Sequence, residues 1–469
     1  MINSECRRRL QALVGPENLL TESEDRRCYA YDATNLNYLP EAVVFPGSPS
    51  EVAQIIRLAN DYRFPVVPRG AGTGTTGGAL PVQGGLVLVT TRLNRILEID
   101  ADNFVAVVEP GVITGHLKAA VEKHGLYYPP DPSSANFCTI GGNIAECAGG
   151  PVAVQYGVTR DYVLGLSVVL PTGELIDTGV RTAKGVVGYD LTRLLLGSEG
   201  TLGVITRIIL RLVTRPAARQ TLLAGFTDLN VATQLVGRIL KARLTPTALE
   251  FMDRTTMTCV RDLLPFTPDD AIQALLLIEV DGHPHDVQER TGQIETFCRQ
   301  TGAILTLVAK DATETEKLWR ARKAISPASF RLKPHKLSED VVVPISRIPT
   351  LVTRLEQIAQ ELDLPILCFG HAGDGNIHVN IMHDAQVERE LDAARGAVRR
   401  IFQIVRELEG TLSGEHGIGI TKSPYLGMEL SEAAIALSQR LKQAFDPHNI
   451  MNPGKIFQPP PGTGLEPPA

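Results

Sequence analysis

Five glycines fall within nine residues of the run Arg69-Gly-Ala-Gly-Thr-Gly-Thr-Thr-Gly-Gly78. No other stretch limits the fold of the N-terminal half so tightly. It follows a β-α-β start. Ala42-Val-Val-Phe-Pro reads as a strand, and Ser48-Pro49-Ser-Glu51 as a capping box with proline in the first helical turn. Val52, Ile55, Ile56 and Ala59 recur at helical spacing, and Pro65-Val-Val-Pro68 is the next strand. The run contains a literal G-x-G-x-x-G at Gly72, Gly74 and Gly77. The nicotinamide fingerprint requires a helix to open there. Instead Ala79-Leu-Pro-Val-Gln-Gly-Gly85 follows, which breaks helices, and then Leu86-Val-Leu-Val forms a strand. The nicotinamide fingerprint is therefore rejected. The loop remains a good anion cradle, because successive glycines let backbone N–H groups converge on phosphate oxygens and the threonines add hydroxyl donors.

Two further blocks share this texture. Pro129-Pro-Asp-Pro132 leads to Thr139-Ile-Gly-Gly-Asn-Ile-Ala-Glu-Cys-Ala-Gly-Gly150, and Leu196-Gly-Ser-Glu-Gly-Thr-Leu-Gly-Val-Ile205 is the third. Between them Val163-Leu-Gly-Leu-Ser-Val-Val-Leu170 is a strand and Pro171-Thr-Gly-Glu174 a hairpin turn. One such block is a turn. Three in one domain point to an extended dinucleotide approached closely by backbone.

From about Gln220 the pattern changes. Segments around 222–226, 273–280 and 304–309 are strand-like. Helical periodicity marks 229–241, 285–300, 348–362 and 389–408, with a last helix over 431–445. An antiparallel hairpin at 366–381 completes an α+β sheet expected to be covered on one face. Its turn, Gly373-Asp-Gly-Asn376, joins Ile-Leu-Cys-Phe to Ile-His-Val-Asn-Ile, which brings His371 and His378 to facing positions at the hairpin mouth. Two imidazoles and a carboxylate make a divalent-metal site with open positions, zinc or manganese. Glu415, in Ser413-Gly-Glu-His-Gly417, is the natural third ligand, and His416 beside it is left to move protons. The competing reading is two polar histidines on a hairpin and an unrelated Glu-His pair. The run Glu316-Lys-Leu-Trp-Arg-Ala-Arg322-Lys-Ala-Ile-Ser326 reads as one helix, with Arg322 and Ser326 on one face.

A length of 469 residues implies two or three domains. A net charge of −6 without a basic run argues against nucleic-acid binding. The seven cysteines contain no Cys-x-x-Cys pair, so neither a zinc ribbon nor an iron–sulfur cluster is expected. No apolar run reaches the ~18 residues of a membrane span, and no secretory signal opens the chain. The expected address is a reducing cytoplasm, with peripheral association at the inner face of a membrane left open. The Pro/Gly-rich tail 458–469 is expected to be disordered.

Arg69-Gly-Ala-Gly-Thr-Gly74, Thr139-Ile-Gly-Gly-Asn-Ile-Ala-Glu146, Tyr156-Gly-Val-Thr-Arg-Asp161 and Gly197-Ser-Glu-Gly-Thr-Leu-Gly203 resemble the FAD-binding domain of the vanillyl-alcohol-oxidase (PCMH-type) flavoproteins. The Gly-His-x-Gly-Asp-Gly-Asn-Ile-His and Gly-Glu-His-Gly-Ile-Gly motifs, with Asp446-Pro-His-Asn-Ile-Met-Asn-Pro-Gly-Lys455, resemble its 2-hydroxy-acid branch. The resemblance spans about 20–457, and Cys147 departs from the Asn that many members carry.

The resemblance implies an α+β fold: an FAD-binding PCMH-type domain over 1–217 with two α/β subdomains, a cap with an antiparallel sheet over 218–410, and a segment 411–457 returning to the flavin. It implies that Arg69, Gly70, Ala71, Gly72, Thr73, Gly74, Gly77 and Gly78 wrap the FAD pyrophosphate. Pro132, Thr139, Gly142 and Asn143 would face the flavin. Gly149, Asp161, Glu199 and Asn452 would lie near the cofactor, and Ile205 would meet the adenine. Arg322 matches an arginine that pairs with the substrate carboxylate, with Ser326, Asn380 and His416 completing the substrate site. The run 69–80 has no His or Cys to anchor flavin, so FAD is expected to dissociate. Where 2-hydroxyglutarate enzymes carry a lysine, Ser338 stands, which favours a monocarboxylate. The implied activity is oxidation of a small 2-hydroxy acid, glycolate or D-lactate. A longer D-2-hydroxy acid is the alternative, or a flavin-binding scaffold subunit. The expected acceptor is an iron–sulfur or other electron-transfer subunit, a quinone or oxygen, in a homo-oligomer or hetero-complex.

Overall fold

The computed structural model describes residues 2–457; the expected disordered tail lies outside them. The chain forms two compact units. The first comprises residues 1–148, 158–215 and 415 onward, and the second residues 149–157 and 216–414. Gly149, expected in the flavin domain, thus belongs to a short excursion that clusters with the second unit. That excursion is tied down there, since Tyr156 Oη and Gln155 Nε2 donate to Asp281 at 2.8 and 3.0 Å.

In the first unit, strands Ala42–Val44, Leu86–Val89 and Val66–Arg69 run parallel, and Leu19–Leu20 closes one edge. The connecting helix Pro49–Tyr62 starts where the sequence places it: Ser48 Oγ accepts from the Glu51 amide at 3.2 Å, and Glu51 Oε2 from the Gly47 amide at 2.8 Å. Its apolar stripe, Val52, Ile55, Ile56 and Ala59, packs on Val44, Val66 and Leu88 with Ile450 and Met451 from the returning C-terminal segment. That segment continues the sheet, as Val66 N donates to Ile450 O and Asn452 N to Val66 O. No helix opens in residues 70–85, in agreement with the rejection of the nicotinamide fingerprint. A five-stranded antiparallel sheet follows, in the order Ile96–Asp100, Val105–Val108, Val204–Arg211, Val163–Val169, Leu175–Gly179. The second glycine block is helical rather than loop, with Thr139 capping helix Ile140–Glu146.

The second unit holds a seven-stranded antiparallel sheet. In chain order its strands are β1 (Ala218–Phe226), β2 (Ala248–Asp253), β3 (Ala274–Gly282), β4 (Leu305–Val308), β5 (His335–Val342), β6 (Ile366–His371) and β7 (Asn376–His383). Their spatial order is β4-β1-β3-β2-β6-β7-β5. Helices Leu229–Lys241, Pro284–Gln300, Ile348–Leu362 and Glu388–Glu407 pack on it. The expectation of a sheet covered on one face needs correction. Leu223, Leu277, Met252 and Phe369 alternate with residues of the opposite face and share a core with Met257, Leu318 and Ile325. Helices Arg254–Val260, Ala312–Lys323 and Ile325–Ala328 therefore cover part of the second face. The single helix expected over 316–326 is two helices broken at Ala324. Pro327 accounts for the break: it has no N–H to give the carbonyl four residues back, and it sits in the first turn of the second helix, where that donor is not needed. All seven cysteines are free thiols.

Asp253, at the end of β2, accepts from the Thr256 amide at 2.7 Å and the Cys368 amide at 2.9 Å. Burial pushes its carboxyl up to about 6 against those hydrogen bonds. Between the unfolded and folded values the native state holds the extra proton, so stability falls as pH rises through that window. At ~1.4 kcal/mol per unit the swing is roughly 2–3 kcal/mol. Asp253→Asn is expected to remove that slope, measured as denaturant-unfolding free energy at pH 4.5 and 7. An unchanged pH slope counts against the buried charge.

Candidate active site

The glycine loop is built around polar atoms that the protein leaves unpartnered. Arg69 is buried, and its Nη2 donates to Tyr31 O at 2.8 Å. Among the described residues, Arg69 Nη1, Thr75 Oγ1, Asn452 Oδ1 and Asp32 Oδ2 are buried with no hydrogen-bond partner. Each such orphan costs about 1–3 kcal/mol. A phosphate-rich dinucleotide supplies acceptors for the arginine and threonine donors, so these residues fit FAD. Asn143 Nδ2 donates to Thr114 Oγ1 at 2.7 Å, which orients it from the capped helix. Asp161 is exposed and its carboxylate accepts from the Val158 amide at 2.8 Å, so it caps a local turn. Ile205 pairs with Val168 inside the antiparallel sheet.

Two predicted cofactor residues are engaged in holding the C-terminal segment. Glu199 is buried at a positive φ of 52°. Its Oε1 and Oε2 accept from the amides of Ile418 and Gly419, both at 2.8 Å. Burial raises its pKa, with those amides acting the other way. Asn452 Nδ2 donates to Gly78 O at 2.8 Å and Glu199 O at 2.6 Å. Thr76, which the sequence did not single out, donates to His416 O at 3.0 Å and accepts from the Ile420 amide at 2.8 Å. Gly77 is needed here: its φ is +83°, and a Cβ would sit 2.6 Å from the Ile420 side chain. Lys455 Nζ donates to Leu80 O at 2.6 Å, and burial pushes its pKa down to about 7 despite the neighbouring Glu199, Asp32 and Glu146.

In the second unit, β6 and β7 carry the two histidines. They are not cross-strand partners as expected, because the register pairs His378 with Phe369 and His371 with Asn376. They are diagonal neighbours on one face, their ring centroids 5.1 Å apart and nearly perpendicular. Gly375, at φ +91°, closes the turn where a Cβ would meet Val343 O. Both histidines are buried. Beside them, Asp340 on β5 faces His378 and accepts from the Gly414 amide at 2.7 Å, while residues 411 and 342 pair backbone to backbone. Glu415 follows Gly414 by one peptide bond, at the point where the chain leaves this unit. One ligand atom from each of His371, His378 and Glu415 lies within 4.8 Å of the others. Two imidazoles and a carboxylate at that spacing are a fitting donor set for a divalent cation. His416 Nε2 lies 3.8 Å from Glu415 Oε1.

Arg322 is buried, with its guanidinium carbon 5.0 Å from the centre of the Phe369 ring. Its fork is turned inward: Nε and Nη2 reach Glu250 Oε2 at 2.7 and 2.6 Å. Glu250 Oε1 lies 2.7 Å from His371 Nδ1. Burial alone would raise the Glu250 carboxyl, but the His371 imidazole and the Arg322 cation, with their hydrogen bonds, hold it below its usual value. Glu250 was missed because no motif surrounds it. Asn380 is buried and accepts from Ser338 Oγ at 2.8 Å. Ser326 is exposed and accepts from Lys336 Nζ at 2.8 Å.

Comparison with known proteins identifies the family. Residues 215–456 match the family described as "FAD linked oxidases, C-terminal domain", and residues 40–179 the "FAD binding domain". The chain is 44% identical over 458 residues to "Glycolate oxidase subunit GlcD" of Bacillus subtilis (strain 168), covering 97% of each. It is 35% identical to "D-lactate dehydrogenase" of Anaerostipes hadrus, over 94% of this chain and 95% of the relative. Identity to "D-2-hydroxyglutarate dehydrogenase" of Stutzerimonas stutzeri (strain A1501) is also 35%, over 96% and 98%. Among solved structures, p-cresol methylhydroxylase with substrate bound superposes with a TM-score of 0.83 at 17% identity, covering 97% of this chain and 96% of that one, which shows the shared fold. Glycine-rich loop, histidine-bearing sheet and returning segment thus occur together in a chain that belongs to the FAD-linked oxidases, with a PCMH-type FAD-binding fold.

Proposed function

We propose that this oxidoreductase converts a small 2-hydroxy acid, glycolate or D-lactate, to the 2-oxo acid. The observation that carries this reading is the His371–His378–Glu415 cluster, whose ligand atoms lie within 4.8 Å. An α-hydroxy carboxylate is a natural chelator for a cation held by three protein ligands, zinc or manganese. When bound, a cation held by His371, His378 and Glu415 would supply Lewis-acid polarisation of the hydroxyl, and FAD would supply the acceptor for the C2 hydride. His416 takes the hydroxyl proton, so hydride and proton leave together and the C2–O bond becomes a carbonyl. Arg322 keeps Nη1 outside its pair with Glu250, and this donor faces the substrate carboxylate; Asn380 orients the same group. FAD binds without a covalent link. The two electrons pass on to a partner subunit, a quinone or oxygen. A complex is favoured by the B. subtilis relative being described as a subunit. Among the described residues no helix is long and apolar enough to cross a membrane.

A longer D-2-hydroxy acid is the second reading, and Lys336 favours it. This lysine lies on the same sheet face as Ser338 and Asn380 by strand alternation, and it hydrogen-bonds Ser326 rather than a carboxylate.

The test is anaerobic mixing of the purified yellow protein with glycolate, D-lactate, L-lactate and D-2-hydroxyglutarate. Glycolate or D-lactate is expected to bleach the flavin fastest, and acid precipitation to leave the flavin in the supernatant. Fastest bleaching by D-2-hydroxyglutarate selects the second reading; bleaching by none of them sinks both.

A further inference from the structure

His371 has two ring nitrogens, and only one of them can face a ligand. Strand register sets Glu250 on β2 opposite His371 on β6, and helix Ala312–Lys323 brings Arg322 to the same carboxylate. Glu250 has one oxygen for each partner: Oε1 for His371 Nδ1 and Oε2 for Arg322 Nε and Nη2. The side chains are 0%, 6% and 8% exposed for Glu250, His371 and Arg322, so water does not compete for these contacts. An ionised carboxylate accepts hydrogen bonds and donates none. The proton of a neutral His371 must therefore sit on Nδ1, and the lone pair on Nε2.

We propose that Glu250 is a positioning residue that fixes His371 as the Nδ1–H tautomer, with Nε2 unprotonated as a divalent cation requires, and pins Arg322 so that Nη1 is the donor left for an anionic ligand. Its consequence for a bound cation rests on the function proposed above; its consequence for the imidazole does not. Stability alone does not account for such an arrangement, since buried ion pairs are often replaceable by apolar groups without loss. Orienting the outer nitrogen of a liganding histidine is a recognised use of a second carboxylate, and its loss weakens metal binding about 10–100-fold.

Glu250→Gln gives a sharp test. Its single carbonyl goes to the Arg322 cation, where the charge-assisted bond is stronger. Its NH₂ then faces His371 Nδ1 and forces the imidazole to the Nε2–H tautomer. The control is Glu279→Gln, a second buried carboxylate on the same sheet, which accepts from Trp319 Nε1 at 2.9 Å and Thr221 Oγ1 at 3.1 Å. The measurement is ¹⁵N NMR of histidine-labelled, FAD-loaded full chain without metal, with His371→Ala assigning the signal. Titration with Mn²⁺ and Zn²⁺ follows. Expected are Nδ1–H in the unmodified chain and in Glu279→Gln, inversion in Glu250→Gln, and metal affinity about 10–100-fold weaker in Glu250→Gln alone. Nε2–H in the unmodified chain overturns the proposal without any variant. So does a Glu250→Gln protein that keeps both tautomer and affinity. An unmodified chain that binds neither ion defeats the metal reading, while its tautomer still decides the role of Glu250.

Discussion

Replacing His416 by alanine is expected to slow flavin reduction by about 10²–10⁴-fold, the range typical of a lost general base, while FAD stays bound. The two halves of this expectation have separate causes. The backbone at 416 is held independently of its side chain, by Thr76 on the His416 carbonyl and by Glu199 on the amides of Ile418 and Gly419. Truncation to alanine leaves these bonds and the glycine loop in place, so the cofactor site should survive. The imidazole, by contrast, is next in the chain to the proposed ligand Glu415 and lies 3.8 Å from its carboxylate. It is thus placed to take a proton from a hydroxyl held at the same cation. Single-turnover reduction of metal-loaded, FAD-replete protein measures the step directly. A rate within about threefold of the unmodified protein, far outside the general-base range, would rule out proton abstraction by His416. Loss of metal or of FAD in the variant would instead make His416 a ligand or a structural residue.

The parts of the molecule legible in the sequence are those where local chemistry and tertiary role agree. Helices Leu229–Lys241 and Ile348–Leu362 begin and end where their apolar period does, because each buries one stripe and exposes the rest. The histidine hairpin was legible because Gly-Asp-Gly-Asn can hardly be anything but a turn. Its register was not: whether His378 meets His371 or Phe369 depends on how the turn closes at Gly375, and the pattern of residues allows either. The strands β2 and β5 were missed for a different reason. They carry Glu250, Asp253, Ser338, Glu339 and Asp340 in buried or half-buried positions, and a run with that many polar residues reads as a solvated loop. Their polar side chains are tolerated inside only because partners arrive from far along the chain: Arg322 and His371 for Glu250, the Cys368 amide for Asp253, and the Gly414 amide for Asp340. Sequence rules fail most readily at such sites, where local preference yields to chemistry. Glu199 shows the same conflict on a smaller scale. It was assigned to the cofactor from its motif, yet its carboxylate spans two amides of a segment more than two hundred residues away.

Removing His378 is expected to have the largest effect of all. His378 is the third residue of β7, between the buried Ile377 and Val379, with its ring centroid 5.3 Å from that of Phe369 and 5.1 Å from that of His371. The strand is paired on both sides, so the backbone should hold its course when the imidazole is lost. What goes is one of the three proposed ligands, in a cluster that on this reading leaves positions open for substrate. His378→Ala should therefore fall from about one bound divalent ion per chain to a small fraction. Lewis-acid stabilisation of several kcal/mol would go with the ion, and at ~1.4 kcal/mol per decade that is on the order of 10³-fold or more in turnover. The same strand supplies its own control. His383 is as deeply buried as His378, but alternation turns it to the other face, where its ring centroid is 5.8 Å from that of His335. His383→Ala should lose packing and keep its metal. Elemental analysis and flavin-reduction rates of the two variants, each checked for bound FAD, separate the possibilities. Equal metal loss in both would show a general loosening of the sheet. Full metal and full turnover in His378→Ala would remove the cluster from the mechanism, leaving Arg322 and His416 to carry the reaction without it.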